Sequence, residues 1–425
     1  INLPSIPLDD NNKPYLLDGP LSVWREDVDH DCRYTPGVDT VLLFMGLRRA
    51  GRALYAFDVT VPEQPVFLWR KDAGSPGFGE LGQSWSELTP ARVRIGSGSQ
   101  PVVIFGAGYD PASEDQGYDP VKGVYLPARA PQASMGRGVF VVSARSGDII
   151  HVFGSSDGMQ NAIPSDVAVL KWPDSGLAYR AYVGDVRGNV WRLDMDNADP
   201  KLWKARLLAS LAGGGIHARK FMYPPDVVSL DDGYALMLGS GDKEQPFDRT
   251  IKNRFFMLED TGSATALHCE TDTACDLTDA TRSLPVAAQG KNWFMSLGEG
   301  EKVVSSATTL TGVSYFSTYQ PPQPQTGNAC TPDWGVVRRY ALNVRTAAGG
   351  WPDVQRYRES RGSTGYLAPI PLLMARPASD AGTGGSSSTG DLIQGVLQGS
   401  SLQTVPTELA ASKARKVWWL REGED

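Results

Sequence analysis

A short apolar strand running toward glycine or serine, followed by a strand–turn–strand rich in aromatics, recurs along this chain and limits what it can fold into. The apolar runs occupy residues 41–46, 102–106, 181–184, 235–239 and 313–317. The strand–turn–strand units that follow are 52–59 with 66–69, 138–144 with 149–153, and 188–194 with Trp203. Weaker copies lie at 253–258, 338–343 and 415–420. The turns carry Pro62, Ser146-Gly147-Asp148 and Pro200, so each unit reads as a β-hairpin by its turn chemistry. An apolar strand plus a hairpin makes most of a four-stranded blade, and blades repeating at about 40–50 residues build a closed ring whose edges stay short and protected. The expectation is an all-β β-propeller of six to eight modified blades, with seven adopted here.

The spacing is irregular, so long insertions interrupt the repeat. Two are visible, at about 110–137, which is polar and Pro-rich, and at about 377–391, which is Gly/Ser/Thr low-complexity sequence. Helical periodicity is rare. Residues 201–212 and 407–414 fit either a short helix or a strand plus turn. A length of 425 residues would ordinarily suggest two or three domains of roughly 150 residues. The 46 Gly and 30 Pro beside 41% hydrophobic residues instead fit one repeated domain over 1–425, a core crossed by many tight turns.

The formal charge is −7 and no Lys/Arg cluster is present, which argues against nucleic acid as a partner. Apolar runs such as Val41-Leu42-Leu43-Phe44-Met45 fall far short of the roughly 20 residues that span a bilayer. The chain opens at Ile1 without Met and reads as a mature or excised C-terminal fragment. Its 4 Cys, at Cys32, Cys269, Cys275 and Cys330, allow three pairings. A small loop closed by Cys269 and Cys275 is the simplest, and ring closure leaves a Cys32–Cys330 link open. No C-x-x-C or His-x-x-x-His pair exists, so a structural zinc site is not expected. His30, His151, His217 and His268 stand isolated and read as packing or surface residues.

Several stretches taken together resemble the C-terminal domain of the PilY family of type IV pilus tip-associated biogenesis factors and adhesins. They are Gly46-Leu47-Arg48-Arg49-Ala50-Gly51-Arg52 with Tyr55-Ala56-Phe57-Asp58-Val59-Thr60, Val103-Ile104-Phe105-Gly106-Ala107-Gly108-Tyr109-Asp110, and Met135-Gly136-Arg137-Gly138. Ile163-Pro164-Ser165-Asp166-Val167-Ala168, Tyr182-Val183-Gly184-Asp185-Val186-Arg187-Gly188-Asn189-Val190-Trp191-Arg192, Gly239-Ser240-Gly241-Asp242-Lys243-Glu244 and the terminal Val417-Trp418-Trp419-Leu420 continue it along nearly the whole chain. The resemblance implies a modified seven-bladed propeller without catalysis, in the periplasm and at the cell surface. It implies partners at the pilus tip and among minor pilins, a host or abiotic surface as an attachment target, and a role in pilus extension and twitching motility.

The family also implies a calcium loop before the strand that begins near Tyr182. Here the ligand positions fall on Lys171, Pro173, Ser175, the Leu177 carbonyl and Tyr179. Gly176 keeps the turn, but no carboxylate remains, and Asp174 is one place out of phase. The expectation is a vacated site with Lys171 in the space of the ion. A second acidic run, Asp27, Asp29 and Asp31 with the Arg33 carbonyl and Asp39, alternates like the start of an EF-hand loop. Cys32 stands where the turn wants Gly, and Asp39 falls one residue late. These five residues are the candidate calcium ligands, set against a plain solvated acidic turn.

Catalytic motifs are weak. Gly154-Ser155-Ser156-Asp157-Gly158 matches G-x-S-x-G, but Met159 to Pro164 cannot supply the helix that a nucleophile elbow needs. The pairs Asp231-Asp232 and Asp194/Asp196 read as turn residues rather than glycosidase carboxylates. The alternating aromatic hairpins also resemble quinoprotein propeller enzymes, yet the adjacent-cysteine pair of that class is missing. The remaining alternative is an adhesive platform, with Trp172, Trp334 and Trp351 as contact anchors or, equally, as blade packing.

Overall fold

The structure, a computed structural model, describes residues 17–29, 31, 34–119, 124–128, 133–282, 291–323, 335–351, 353–361, 370–375, 392–398 and 401–405. Cys32, Arg33, Trp334, Cys330, the whole 377–391 insertion and the 407–414 and 415–420 segments lie outside the described residues. Among those described, helix is limited to one four-residue α-helix and a few 3-10 turns, and the rest is strand and turn. The chain divides into two compact units, residues 1–210 with 220–224 and residues 211–219 with 225–425.

In the first unit, β1 (Leu21–Glu26), β2 (Thr40–Gly46), β3 (Ala53–Asp58) and β4 (Val66–Asp72) form an antiparallel four-stranded sheet in chain order. The apolar run and the hairpin of the sequence pattern are thus three consecutive strands of one blade. A second sheet follows from β5 (Thr89–Ile95) and β6 (Gly98–Gly106), completed by β9 (Val139–Ser143) and β10 (Ile149–Phe153). The 110–137 insertion leaves it between β6 and β9 and carries its own hairpin, β7 (Gln116–Asp119) with β8 (Val124–Ala128), after a short helix, Pro111–Glu114, capped by Asp110. A third set is β11 (Ala168–Lys171), β12 (Ala178–Gly184), β13 (Asn189–Asp194) and β14 (Lys204–Ser210), joined to the second by the single pair Val93–Ala178. The ambiguous 201–212 segment resolves as a turn plus strand. Pro200–Leu202 makes one 3-10 turn, capped by the Asp199 carboxylate, before β14 begins.

In the second unit, β15 (Asp226–Leu230), β16 (Gly233–Gly239) and β17 (Arg254–Asp260) lead to the short β18 (Leu267–His268), β19 (Thr278–Asp279) and β20 (Trp293–Ser296). β15, β16, β17 and β20 are antiparallel neighbours, and β19 adds to β20 in parallel. Then come β21 (Lys302–Val303), β22 (Thr308–Leu310), β23 (Val313–Gln320), β24 (Val336–Asn343) and β25 (Tyr357–Arg361), with β23–β24–β25 as the antiparallel spine. A last hairpin pair joins β26 (Ile370–Ala375), β27 (Leu392–Gln398) and β28 (Ser401–Val405).

Sheets stack face to face because strand alternation sends successive side chains to opposite sides. Leu42, Phe44, Leu54, Ala56 and Trp69 of the first sheet pack on Val103, Phe105, Phe140 and Val142 of the second. The other face of that second sheet, Val102, Ile104, Val139 and Val141, packs on Ala181, Val183, Trp191 and Leu193. β9 is therefore buried at every position. In the second unit, Met237, Phe255, Met257 and Trp293 pack on Phe316, Tyr340 and Leu342, with Phe255 stacked on Phe316 at 3.7 Å.

A tryptophan on the last main strand of one sheet locks it to the next. Trp69 on β4 donates its indole N–H to the Ala144 carbonyl at 3.0 Å, in the β9–β10 turn. Trp293 on β20 does the same to the Val344 carbonyl at 2.9 Å, in the turn after β24. The strand-ending glycines have a shared cause. A Cβ at Gly106 would fall on the Ile163 carbonyl oxygen, and one at Gly184 would lie 2.5 Å from Phe221 Cβ, because another segment crosses each strand end, by its backbone at Gly106 and by the Phe221 side chain at Gly184.

The β12–β13 turn is closed by one carboxylate. Asp185 is fully buried; its Oδ1 accepts the backbone N–H of Arg187 at 2.8 Å and of Asn189 at 3.0 Å. Its Oδ2 accepts Asn161 Nδ2 at 2.9 Å, Asn189 Nδ2 at 2.9 Å and Trp191 Nε1 at 3.2 Å. Removing a buried acceptor leaves all five donors unpaired. Asp185→Ala is expected to cost about 3–5 kcal/mol of unfolding free energy, read from the urea midpoint. An unchanged midpoint would show that the turn holds without it.

Candidate functional site

The acidic loop connects β1 to β2. Its turn is set by Thr35, whose carbonyl accepts the N–H of Val38 at 3.1 Å and of Asp39 at 2.9 Å, with Gly37 at φ +87°. Asp39 is folded back and buried, its Oδ1 accepting Val28 N–H at 2.8 Å and its Oδ2 accepting Thr35 N–H at 2.7 Å. That return brings Asp39 onto Asp27 and Asp29, and one carboxylate oxygen from each of the three lies within 4.8 Å of the others. Asp31 is exposed and outside this group; its N–H reaches Asp29 Oδ1 at 3.4 Å. Desolvation raises the pKa of Asp29, and the charges of Asp31 and Asp39 add to the rise. Three converging carboxylates suit a hard cation that takes oxygen ligands.

The loop at 171–179, where the sequence resemblance implies calcium, has a different chemistry. Trp172 N–H donates to the Leu177 carbonyl at 2.9 Å, Gly176 N–H donates to the Trp172 carbonyl at 2.8 Å, and Gly176 sits at φ +67°. The result is a tight hairpin turn between β11 and β12. Lys171 is half-buried, with its ammonium pKa pushed down by burial, and Trp172 stacks on Tyr179 at 4.0 Å. With no carboxylate at 171, 173, 175, 177 or 179, these residues do not fit a calcium ion.

The remaining sequence candidates resolve simply. Gly154 to Gly158 forms one 3-10 turn ended by left-handed Gly158, with no helix behind Ser156. Asp194 is paired with Arg180 and Arg192, and Asp196 accepts the Trp172 indole at 3.4 Å. Asp231 and Asp232 are exposed turn residues. Trp172 is partly exposed, whereas Trp351 is buried, with the Arg358 guanidinium 4.5 Å over its ring. Cys269 and Cys275 form a disulfide.

One titratable group of the first unit was not singled out from sequence. Glu87 and Asp166 lie 79 residues apart, and Asp166 Oδ1 accepts the Glu87 N–H at 2.7 Å. Burial, then the Asp166 charge, pushes the Glu87 carboxyl up to about 7. Nearby, burial pushes Tyr223 up to about 12, with Arg48 pulling the other way. Trp85 stacks on Tyr109 at 4.6 Å and lies under the guanidinium of Arg48 at 4.8 Å.

No family model matches the chain. Among curated proteins it is similar to the type IV pilus biogenesis factor PilY1 of Pseudomonas aeruginosa (strain UCBPP-PA14), at 30% identity over 149 residues, 35% of this chain and 11% of that protein. It is also similar to the PilY1 homolog of Xylella fastidiosa (strain Temecula1 / ATCC 700964), at 26% identity over 184 residues, 40% of this chain and 11% of that protein. The matched region thus spans about a tenth of the length of these relatives. The crystal structure of the Pseudomonas aeruginosa PilY1 C-terminal domain aligns over 92% of this chain and 84% of its own, with TM-score 0.61 and 15% identity. The fold is a β-propeller. Within that class, the chain is similar in fold to the Pseudomonas aeruginosa PilY1 C-terminal domain.

Glu87 gives the first unit a pH signature. Folding raises its pKa from the ordinary 4.5 to about 7, so the folded state holds the proton more tightly. Its contribution is fully present below the unfolded pKa and is lost as pH rises through about 7. Glu87→Gln, which never ionises, is expected to flatten the fall in melting temperature across that window. A curve parallel to the parent chain would refute the assignment.

Proposed function

We propose that this chain serves type IV pilus biogenesis as a non-enzymatic binding domain, with residues 1–425 acting as one propeller domain of seven blades. The observation that carries this reading is the match to the PilY1 C-terminal domain over 92% of the chain, combined with sequence similarity to two PilY1 proteins. The charged residues of the first unit support binding over bond chemistry. Asp185, Asp194 and Asp39 are each occupied in holding turns or strands. On this reading the domain works in the periplasm and at the cell surface. It engages minor pilins at the pilus tip, favours extension over retraction, and supports twitching motility and attachment. Deletion of the gene is expected to reduce the number of surface pili and the twitching zone, both restored by complementation. Normal piliation and motility in the deletion strain would sink the proposal.

We further propose that the Asp27, Asp29 and Asp39 group takes calcium, with Asp31 and the Arg33 carbonyl as the outer ligands of the set. The support is the convergence of three carboxylates, each of which gains from a shared divalent cation. Calcium titration by calorimetry is expected to give saturable binding that Asp27→Asn with Asp29→Asn weakens by roughly tenfold or more. Asp39 is left intact in that test because it also ties the loop. Equal affinity in the double variant, or no binding heat, would leave a solvated acidic turn.

A further inference from the structure

Between β18 and β19 the chain doubles back through Cys269-Glu270-Thr271-Asp272-Thr273-Ala274-Cys275, closed by the disulfide and by reciprocal bonds of its flanks. His268 N–H donates to Asp276 Oδ2 at 2.7 Å, and Asp276 N–H donates to the His268 carbonyl at 2.6 Å. The two sulfurs have unlike surroundings. Cys269 is fully buried, and Arg254 Nη1 donates to its Sγ at 3.3 Å. Cys275 is half-buried and lines a cavity of about 650 Å³, which it shares with Arg249, Lys252, Leu277 and Phe294.

The cation beside Cys269 is not alone. Arg254 is 1% exposed, with its guanidinium carbon 3.8 Å over the Phe294 ring; it also donates to the Thr271 carbonyl at 3.4 Å and pairs with Asp272. Arg219 is fully buried and donates to the carbonyls of Leu211 at 2.9 Å, Lys252 at 2.8 Å and Glu270 at 3.2 Å. Asp272, half exposed and shared with Lys252 at 3.0 Å, and Asp279 are the carboxylates whose charge acts on Arg254. The loop therefore lays its Glu270 and Thr271 carbonyls against two buried guanidiniums. Burial pushes the pKa of both arginines down, Arg219 to about 9, and the charge of Asp272 opposes the fall in both.

We propose that Cys269–Cys275 is a thiol–disulfide exchange site, attacked at Cys275 from the cavity with Cys269 as the leaving group. An incoming thiolate forms a bond to Cys275 Sγ. The Cys269–Cys275 bond breaks, and its electron pair stays on Cys269 Sγ as a thiolate facing Arg254. A leaving thiol of lower pKa leaves faster, and a guanidinium in contact lowers it. With a dithiol reductant, its second thiolate then attacks the sulfur it first delivered. That expels Cys275, which takes up a proton, and leaves the reductant as a disulfide. The substrate class is a small or protein thiol, ultimately a dithiol oxidoreductase. Opening the bridge frees the segment whose Glu270 and Thr271 carbonyls and Asp272 carboxylate hold the two arginines, so the redox state of one bond sets the order of the cavity wall.

The test uses the native 425-residue chain with excess reduced glutathione, acid quench, maleimide capture of free thiols and peptide mapping by mass spectrometry, which separates these cysteines from Cys32 and Cys330. The expected product carries glutathione on Cys275 and maleimide on Cys269. Arg254→Gln is expected to slow exchange by about tenfold, with Arg254→Lys recovering most of the rate. Glutathione on Cys269, equal labelling of both sulfurs, or reaction only in denaturant would overturn the proposal. If Arg254→Gln fails the circular-dichroism check for folding, the adduct position in the parent chain decides alone.

Discussion

The indole N–H of a tryptophan, buried between two sheets, is the contact on which the stacking of this fold depends. Trp69 and Trp293 each fill the space between their own sheet and the next, and each can be buried only because a turn carbonyl accepts its one donor. The turn must therefore sit at a fixed height over the neighbouring sheet, which fixes where that sheet's hairpin ends. Gly147, at φ +69° in the turn that receives Trp69, has no room for a Cβ against that ring. Blade spacing and turn conformation are thus one constraint met at two points of the chain.

Loops built on such a scaffold are free to lose or gain chemistry without disturbing it. The turn between β11 and β12 keeps its hairpin geometry while carrying Lys171, Pro173 and Ser175, none of which offers a carboxylate. In the acidic turn between β1 and β2, Asp39 is spent on backbone N–H groups and still presents an oxygen toward Asp27 and Asp29. A carboxylate can do both because each oxygen has two lone pairs.

The strands were legible because two local signals agreed. Apolar runs such as 102–106 and 235–239 end in glycine where another segment packs against the strand end, and Pro62 and Ser146-Gly147 mark hairpin turns. The structure places β2 with β3, β6 with β9, β12 with β13 and β16 with β17 as that pattern reads. Residues 201–212 were ambiguous because Trp203, Leu207, Leu208 and Leu211 fit a helical spacing as well as a strand. Asp39 looked one residue late because an EF-hand register counts along the chain, whereas the Thr35 turn shortens the path through space. Glu87 with Asp166, and Arg254 with the Cys269–Cys275 loop, were not legible. Each depends on a contact between segments 15 or more residues apart, and no periodicity records it.

The five donors gathered by Asp185 alter how the β12–β13 turn behaves in time. A tight turn ordinarily exchanges its amide hydrogens with solvent quickly, because nothing holds them between brief openings. Here the amides of Arg187 and Asn189 point at a carboxylate that is sealed under Trp191 and Asn161. Their exchange with deuterium must wait for a larger opening that releases the indole and both asparagine amides together. The turn belongs kinetically to the core, and the slowest-exchanging amides of this blade include that of Arg187, which lies outside any strand ladder.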